Sequence, residues 1–282
     1  MKTILLPLVD DDSAASATET AFMIARRFGS YIEGMFVRAP MPMVSHGPVP
    51  AHFLGQYRDF WDHNAESARQ RFAAFMNTHN VPFREIGVRS DQPTAWWSER
   101  EGERDAVIGS YGRLFGLIVI CRTPPEVSPD WMGACEAALF YGGRPVIVSS
   151  GRIPQTVGET VVVAWNGSTE TARTLALGWP ILRGARSIHV LSVSGASGGM
   201  VAGPSGEEVA AHLMRDGLNA TARTVPAKGR SAATTLLAEA RALGADLLVK
   251  GAFTRSRLQQ MIFGGTTRQI LAEADLPLLI AH

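Results

Sequence analysis

Cysteine is scarce: Cys121 and Cys135 are the only two among 282 residues, too few for a disulfide framework or a four-cysteine zinc site. A reducing compartment is the natural setting for such a chain. Long hydrophobic runs are missing too, since none approaches the ~18–20 residues of a membrane span. The opening run Met1-Lys2-Thr3-Ile4-Leu5-Leu6-Pro7-Leu8-Val9 meets acid at Asp10 too early for a secretory core. A cytoplasmic location without membrane contact is therefore expected. Neither sign of charge dominates: Lys+Arg 27 against Asp+Glu 26 leaves +1, and so even a balance gives no reason to expect a nucleic-acid partner. Three motifs are also absent, G-x-x-x-x-G-K-[ST], G-x-G-x-x-G after a strand and H-E-x-x-H. Without them the common nucleotide-loop and zinc-protease chemistries have no anchor.

What is present is a packed α/β chain that repeats itself. Hydrophobic residues make up 46% and charged residues 19%, ample for a buried core, and the length suits two domains. Thr3-Ile4-Leu5-Leu6-Pro7-Leu8-Val9-Asp10 and Thr160-Val161-Val162-Val163-Ala164-Trp165-Asn166 are both short apolar runs ending at an Asx residue, the pattern of strands buried on both faces of a parallel sheet. Each is followed by a polar turn of good N-cap residues. Helical spacing comes next, with Ala17, Ala21, Ile24, Ala25 and Phe28 on one face in the first half and Ala172, Leu175, Ala176 and Trp179 in the second. The distance from Val9 to Val37, at the end of the next strand, equals that from Trp165 to Val193.

The rest of each half reads as helix, strand, helix and further strands. The first has a long helix with Trp61, Ala65, Ala68, Phe72, Phe75 and Met76 on one face, and its counterpart opens at a capping box, Ser205-x-x-Glu208. Third strands are expected at 83–88 and 222–225, fourth strands at 117–121 and 247–250, and fifth strands at 145–149 and 277–281. Alternating β and α segments imply parallel doubly wound sheets with right-handed crossovers. The expected domains are 1–150 and 160–282, joined by a linker at 151–159 that Gly151, Pro154 and Gly158 punctuate. Two loops depart from the repeat, 39–55, rich in Pro, Met and His, and 195–206, rich in Gly and Ser. Both read as lids or surface excursions beside the sheet edge where such folds bind ligands.

One stretch carries a spacing with a mechanism. Lys250-Gly251-Ala252-Phe253-Thr254-Arg255 leaves the fourth strand, and Gly264-Gly265-Thr266-Thr267 opens the last helix with a Thr266-x-x-Gln269 box. A strand-end glycine allows close approach to the backbone, and a helix N-terminus offers free N–H groups and a positive dipole end to an anion. The same glycines would equally serve packing and helix capping, and both readings stay open.

The tandem repeat, the Asx residue at each first turn and this Gly-rich segment resemble the universal stress protein family in its two-domain form, over essentially the whole chain. The resemblance implies two Rossmann-like domains of the adenine nucleotide alpha hydrolase-like class. Each would be a five-stranded parallel sheet of order 3-2-1-4-5, and the two would be related by a pseudo-two-fold axis with their fifth strands near the interface. Nucleotide-binding members carry G-x2-G-x9-G-[ST]. Here Gly251 and Gly264 match its first and third glycines, Thr254 stands at the second, and Gly265 takes the [ST] position with Thr266 and Thr267 behind it. Asn166 stands at the first-turn acid, and Lys228-Gly229 matches the loop after the third strand. The nucleotide site so implied comprises Ala164, Asn166, Val193, Lys228, Gly229, Lys250, Gly251, Thr254, Arg255, Gly264, Gly265, Thr266 and Thr267. Its ligand would be ATP or another adenine nucleotide, with Mg²⁺ as companion. In the first half Cys121-Arg122-Thr123-Pro124-Pro125 and Ala134 fill the corresponding positions, and proline offers no N–H to a phosphate.

The function implied is nucleotide sensing or partner binding in a stress response, without dedicated catalysis. A homodimer and a protein partner are the expected assemblies, and Met41, Met43, Phe53 and Leu54 offer apolar surface for a second chain. Alternatives are an ATP-hydrolysing enzyme at the second-half site, or an interaction module that binds no ligand. The segment 250–267 contains no Asp or Glu to organise a metal for hydrolysis. His46 and His52 could bind a metal with Met43, but no further ligand is evident, and both histidines read as solvated loop residues. Cys121 reads as a buried apolar residue, Trp96-Trp97 as a cap on the sheet edge or on a domain interface, and 194–200 as a flexible linker.

Overall fold

A computed structural model describes residues 1–41, 51–85, 90–123, 131–196, 200–252 and 265–282. The chain divides into two compact units, Met1–Gly142 and Gly143–His282.

The first unit runs β1 (Thr3–Leu8), α1 (Ala14–Phe28), β2 (Tyr31–Arg38), α2 (Ala51–Thr78), β3 (Thr94–Glu101), α3 (Arg104–Tyr111), β4 (Leu117–Ile120) and α4 (Trp131–Phe140). Its strands are parallel in the order β3-β2-β1-β4. Ile4, Leu5, Leu6, Ile32, Leu117 and Ile118 are fully buried, as continuous apolar strands of a two-face-covered sheet require. The expected α2 face is in place, with Ala65, Ala68, Phe72 and Met76 buried. Gly34 in β2 makes room for it: a Cβ there would lie 3.1 Å from the Phe72 ring.

Three expectations are corrected here. The third strand is Thr94–Glu101, and of the expected 83–88 segment Phe83 forms only an isolated bridge to Ala95, while 86–89 lie outside the described residues. An edge strand has one open side and accepts the polar run Ser98-Glu99-Arg100-Glu101, which reads poorly as a buried strand. The loop expected to reach residue 55 ends earlier, because α2 begins at Ala51 and takes in His52, Phe53, Leu54 and Gly55. Trp96 and Trp97 do sit on the edge strand, and Trp97 packs against the cluster of Phe36, Ala65 and Ala68. At the start of α1, Ser13 makes no side-chain cap; Asp11 Oδ1 accepts the Ser13 N–H instead at 2.8 Å.

The second unit runs β5 (Val146–Val148), β6 (Thr160–Ala164), α5 (Thr169–Leu182), β7 (Ser187–Ser194), α6 (Gly206–Arg215), β8 (Ala220–Pro226), α7 (Ala232–Ala242), β9 (Leu247–Gly251), α8 (Gly265–Glu273) and β10 (Leu278–Ala281). Strands β8-β7-β6-β9-β10 follow the expected order 3-2-1-4-5 and are parallel. β5 pairs antiparallel with β10, so this sheet is not wholly parallel. The added strand satisfies the backbone edge that β10 would otherwise leave open. The capping box at Ser205 and Glu208 forms as read. That expected between Thr266 and Gln269 is replaced: the Gln269 carbonyl accepts from Ser231 Oγ at 2.8 Å and its amide donates to Thr234 and Glu273, tying α8 to the N-cap of α7.

Among the described residues no helix is long and apolar enough to cross a membrane.

Candidate nucleotide site in the second unit

β6 ends at Ala164, and the chain turns through Trp165, Asn166 and Gly167 into the N-cap of α5. Ser168 Oγ accepts the Thr171 N–H at 3.2 Å, the usual way to satisfy a free first-turn donor. Asn166 holds this turn together. Its Oδ1 accepts from Ser168 N–H at 3.3 Å, Ser168 Oγ at 2.8 Å and Thr171 Oγ1 at 2.9 Å. Thr171 Oγ1 in turn accepts the Gly251 N–H at 3.3 Å. A chain of polar contacts therefore runs from the first turn to the end of β9 and brings Asn166 and Gly251 together.

Gly251 has a geometric reason to lack a side chain. A Cβ there would lie 2.4 Å from the Thr171 nitrogen and 2.7 Å from the Glu170 carbonyl carbon. The close approach that this glycine permits is that of α5. Beside it Lys250 is 8% exposed and donates from Nζ to the Gly251 carbonyl at 3.1 Å. Burial pushes the Lys250 ammonium down to about 8, against the opposing pull of Glu170.

The remaining residues lie on three further pieces. Ala164 and Val193 are buried at the ends of β6 and β7, and the Trp165 N–H donates to the Leu191 carbonyl at 2.9 Å. Lys228 and Gly229 form an exposed turn after β8, both with positive φ (50° and 80°). At the start of α8, Gly265 is exposed with no atom of the described residues within 4 Å of where its Cβ would stand, Thr266 is half-buried and Thr267 is buried. The first turn of a helix presents N–H groups without intrahelical partners, so this start can receive an anion. Thr254, Arg255 and Gly264 lie outside the described residues.

The described part of the loop after β7, expected as a lid or surface excursion, packs against the first turn. Residues 197–199 are outside the described set, but Val201 donates its N–H to the Asn166 carbonyl at 2.9 Å, and Trp165 Nε1 donates to the Pro204 carbonyl at 2.8 Å. Gly167 and Gly203 meet so closely that a Cβ on Gly203 would lie 2.4 Å from the Gly167 oxygen. The segment is docked on the first turn. Gly203 in this loop and Gly167 in the turn permit the approach because neither carries a side chain.

In the first unit the corresponding positions are spent internally. Cys121 is buried with its Sγ 3.3 Å from Ser13 Oγ, Ala134 is fully buried in α4, and Asp10 accepts from Ser67 Oγ at 2.7 Å. Pro124 and Pro125 lie outside the described residues, as do Met43 and His46. No group of three or more His, Cys, Asp or Glu side chains suited to a metal occurs among the described residues.

A sequence profile of the Universal stress protein family matches residues 159–282. Over the whole chain the fold is similar to that of a universal stress protein from Archaeoglobus fulgidus DSM 4304, with TM-score 0.70 and 14% identity, covering 99% of this chain and 95% of that one. It is also similar to the functionally unknown protein PA1789 from Pseudomonas aeruginosa PAO1, with TM-score 0.58 and 15% identity, covering 100% and 92%. No match is found among curated proteins. Residues 159–282 thus form a domain of the Universal stress protein family.

Proposed function

We propose that the second unit binds an adenine nucleotide and that this occupancy, rather than catalysis, is its contribution to a stress response. The observation that carries the reading is the polar chain Asn166–Thr171–Gly251, which joins the first turn to the end of β9 at the carboxyl edge where doubly wound sheets receive ligands. The nucleotide would lie with its ribose toward Asn166 and its phosphates toward the open start of α8 at Gly265, Thr266 and Thr267. Lys228 stands exposed after β8 as a further cation, and Arg255 is the cation the family resemblance adds. A Mg²⁺ ion would be held by the phosphates themselves, since 250–267 supplies no carboxylate. The lack of a positioned base or metal ligand on that segment argues for a sensor over a hydrolase.

The reading without a ligand also has a specific observation in its favour. Gly251 faces α5, and Asn166 Oδ1 already accepts three bonds, so both residues have structural work independent of any nucleotide.

Titration calorimetry with ATP, together with mass spectrometry of the denatured purified protein, separates the two. The discriminating variant is Gly265→Glu, which sets a carboxylate at the start of α8 where the fold leaves open space. Binding by the wild type that falls at least about tenfold in Gly265→Glu supports the site. No heat with ATP and no co-purified nucleotide, or binding indifferent to Gly265→Glu, refutes it.

A further inference from the structure

The Asp10-Asp11-Asp12 run after β1 borders a cavity that the nucleotide reading leaves aside. It lies between α1 and α2 in the first unit, with a volume near 380 Å³, the share of about a dozen water molecules and within the range of small-molecule sites. Leu8, Phe72 and Phe75 give it an apolar floor, while Asp11, Asp12 and Arg71 stand at its mouth.

The charges at that mouth decide what the cavity accepts. Arg71 is already answered: its Nε lies 3.4 Å from Asp10 and its Nη1 2.8 Å from Asp12. The nearby start of α1 offers an anion little, because Ala14, Ala15 and Ser16 donate their N–H groups to the carbonyls of Asp11, Asp12 and Ser13. Asp11 is fixed in place by the Ser13 N–H on its Oδ1. Three carboxylates against one guanidinium and roughly half a charge from the helix end leave the mouth negative. A phosphate or carboxylate ligand would meet repulsion there, and a neutral one would gain only from the floor.

We propose that this cavity is a binding site for a small organic cation, an aromatic or aliphatic body seated on Phe72 and Phe75 with a primary ammonium held between Asp11 and Asp12. The site is separate from the nucleotide reading and stands without it.

Three probes with one apolar body and different charge test it: 2-(1-naphthyl)ethylamine, the matching alcohol and 1-naphthylacetate. Each is titrated into full-length protein carrying ¹³C-methyl alanine at low ionic strength near neutral pH. The amine is expected to shift the Ala14, Ala15 and Ala68 methyl signals saturably and to bind about tenfold tighter than the alcohol, with the acetate weakest. Added salt should narrow that gap. The double variant Asp11→Asn, Asp12→Asn keeps the Asn acceptor for Ser13 and should bring amine and alcohol to within about threefold. Ala15 is exposed at the cavity, so Ala15→Trp can fill the cavity without loading the core and should abolish the response at Ala14 and Ala68. Acetate binding as tightly as the amine, equal affinities of amine and alcohol for the wild type, shifts that never saturate, or retention in Ala15→Trp would each overturn the proposal.

Discussion

Gly251 packs directly against the start of α5 at Thr171: its N–H donates to Thr171 Oγ1 at 3.3 Å, and a Cβ on Gly251 would stand 2.4 Å from the Thr171 nitrogen. Real Cβ atoms do not tolerate that distance, and the two nearest obstructing atoms, the Thr171 nitrogen and the Glu170 carbonyl carbon, are backbone. Gly251→Ala must therefore push α5 away from β9 and should cost about 2–3 kcal/mol. Gly265→Ala, at a position with open space, should change stability by less than about 0.5 kcal/mol. Urea unfolding of both variants checks the contrast, and equal effects would mean that the α5 contact is not what Gly251 serves.

Asn166 organises the turn by accepting three bonds on one oxygen. Asn166→Ala strands the hydroxyls of Ser168 and Thr171 and should cost about 1–2 kcal/mol. Asn166→Asp keeps every acceptor and adds negative charge beside the N-terminus of α5, so it should be close to neutral or slightly stabilising. Thermal unfolding of the pair tests this: a large loss in Asn166→Asp would show that the amide NH₂, and not the acceptor, holds the turn.

Much of this architecture could be read from the chain because apolar runs such as Val161-Val162-Val163 and Leu247-Leu248-Val249 have only one comfortable place, a sheet covered on both faces. The helix spacing of Ala65, Ala68, Phe72 and Met76 was legible for the same reason. The edge strand Thr94–Glu101 was not, because an open side tolerates Glu99 and Glu101 and blurs the pattern. The docked loop at Val201 and Gly203 was hidden by its composition, since glycine marks both free linkers and close backbone contacts. The candidate site was legible through Asn166 and Gly251. That Gly251 faces α5 depends on a helix 80 residues earlier in the chain, and no local spacing encodes it.

A buried carboxylate was also invisible to pattern reading. Glu33, 2% exposed in β2, accepts from Tyr31 Oη at 2.8 Å, Ser98 Oγ at 2.6 Å and Tyr111 Oη at 2.9 Å. Burial pushes the Tyr31 phenol well above its usual range and raises Tyr111 as well. Glu33→Ala leaves three inward hydroxyls without their acceptor beside a new cavity and should cost about 3 kcal/mol. Glu33→Gln, which preserves volume and one acceptor oxygen, should cost roughly 1 kcal/mol. Chemical denaturation that ranks the two the other way would mean the carboxylate is a burden on β2.

Lys250 gives a pH signature that isolates one side chain. Its ammonium is pushed down from an ordinary 10.5 to about 8 by burial, so the folded state holds that proton less tightly than the unfolded chain does. Below about pH 8 both states are protonated and the fold carries the full cost of a buried charge. Between about 8 and 10.5 the unfolded chain binds more protons than the folded one, and stability therefore rises with pH across that window. Lys250→Met removes the charge and fills similar volume, at the loss of the bond from Nζ to the Gly251 carbonyl. The variant should be more stable than wild type by about 1–3 kcal/mol at pH 7, where one pKa unit corresponds to about 1.4 kcal/mol. The difference should shrink as pH rises from about 8 and approach zero above about pH 10.5, where Lys250 is uncharged in both states. Urea midpoints of the two proteins measured at matched pH values follow the difference directly and cancel the titration of tyrosines and thiols common to both. A gap that stays constant with pH would show that Lys250 keeps an ordinary proton affinity in the folded state, and a gap that widens with pH would reverse the sign of its contribution.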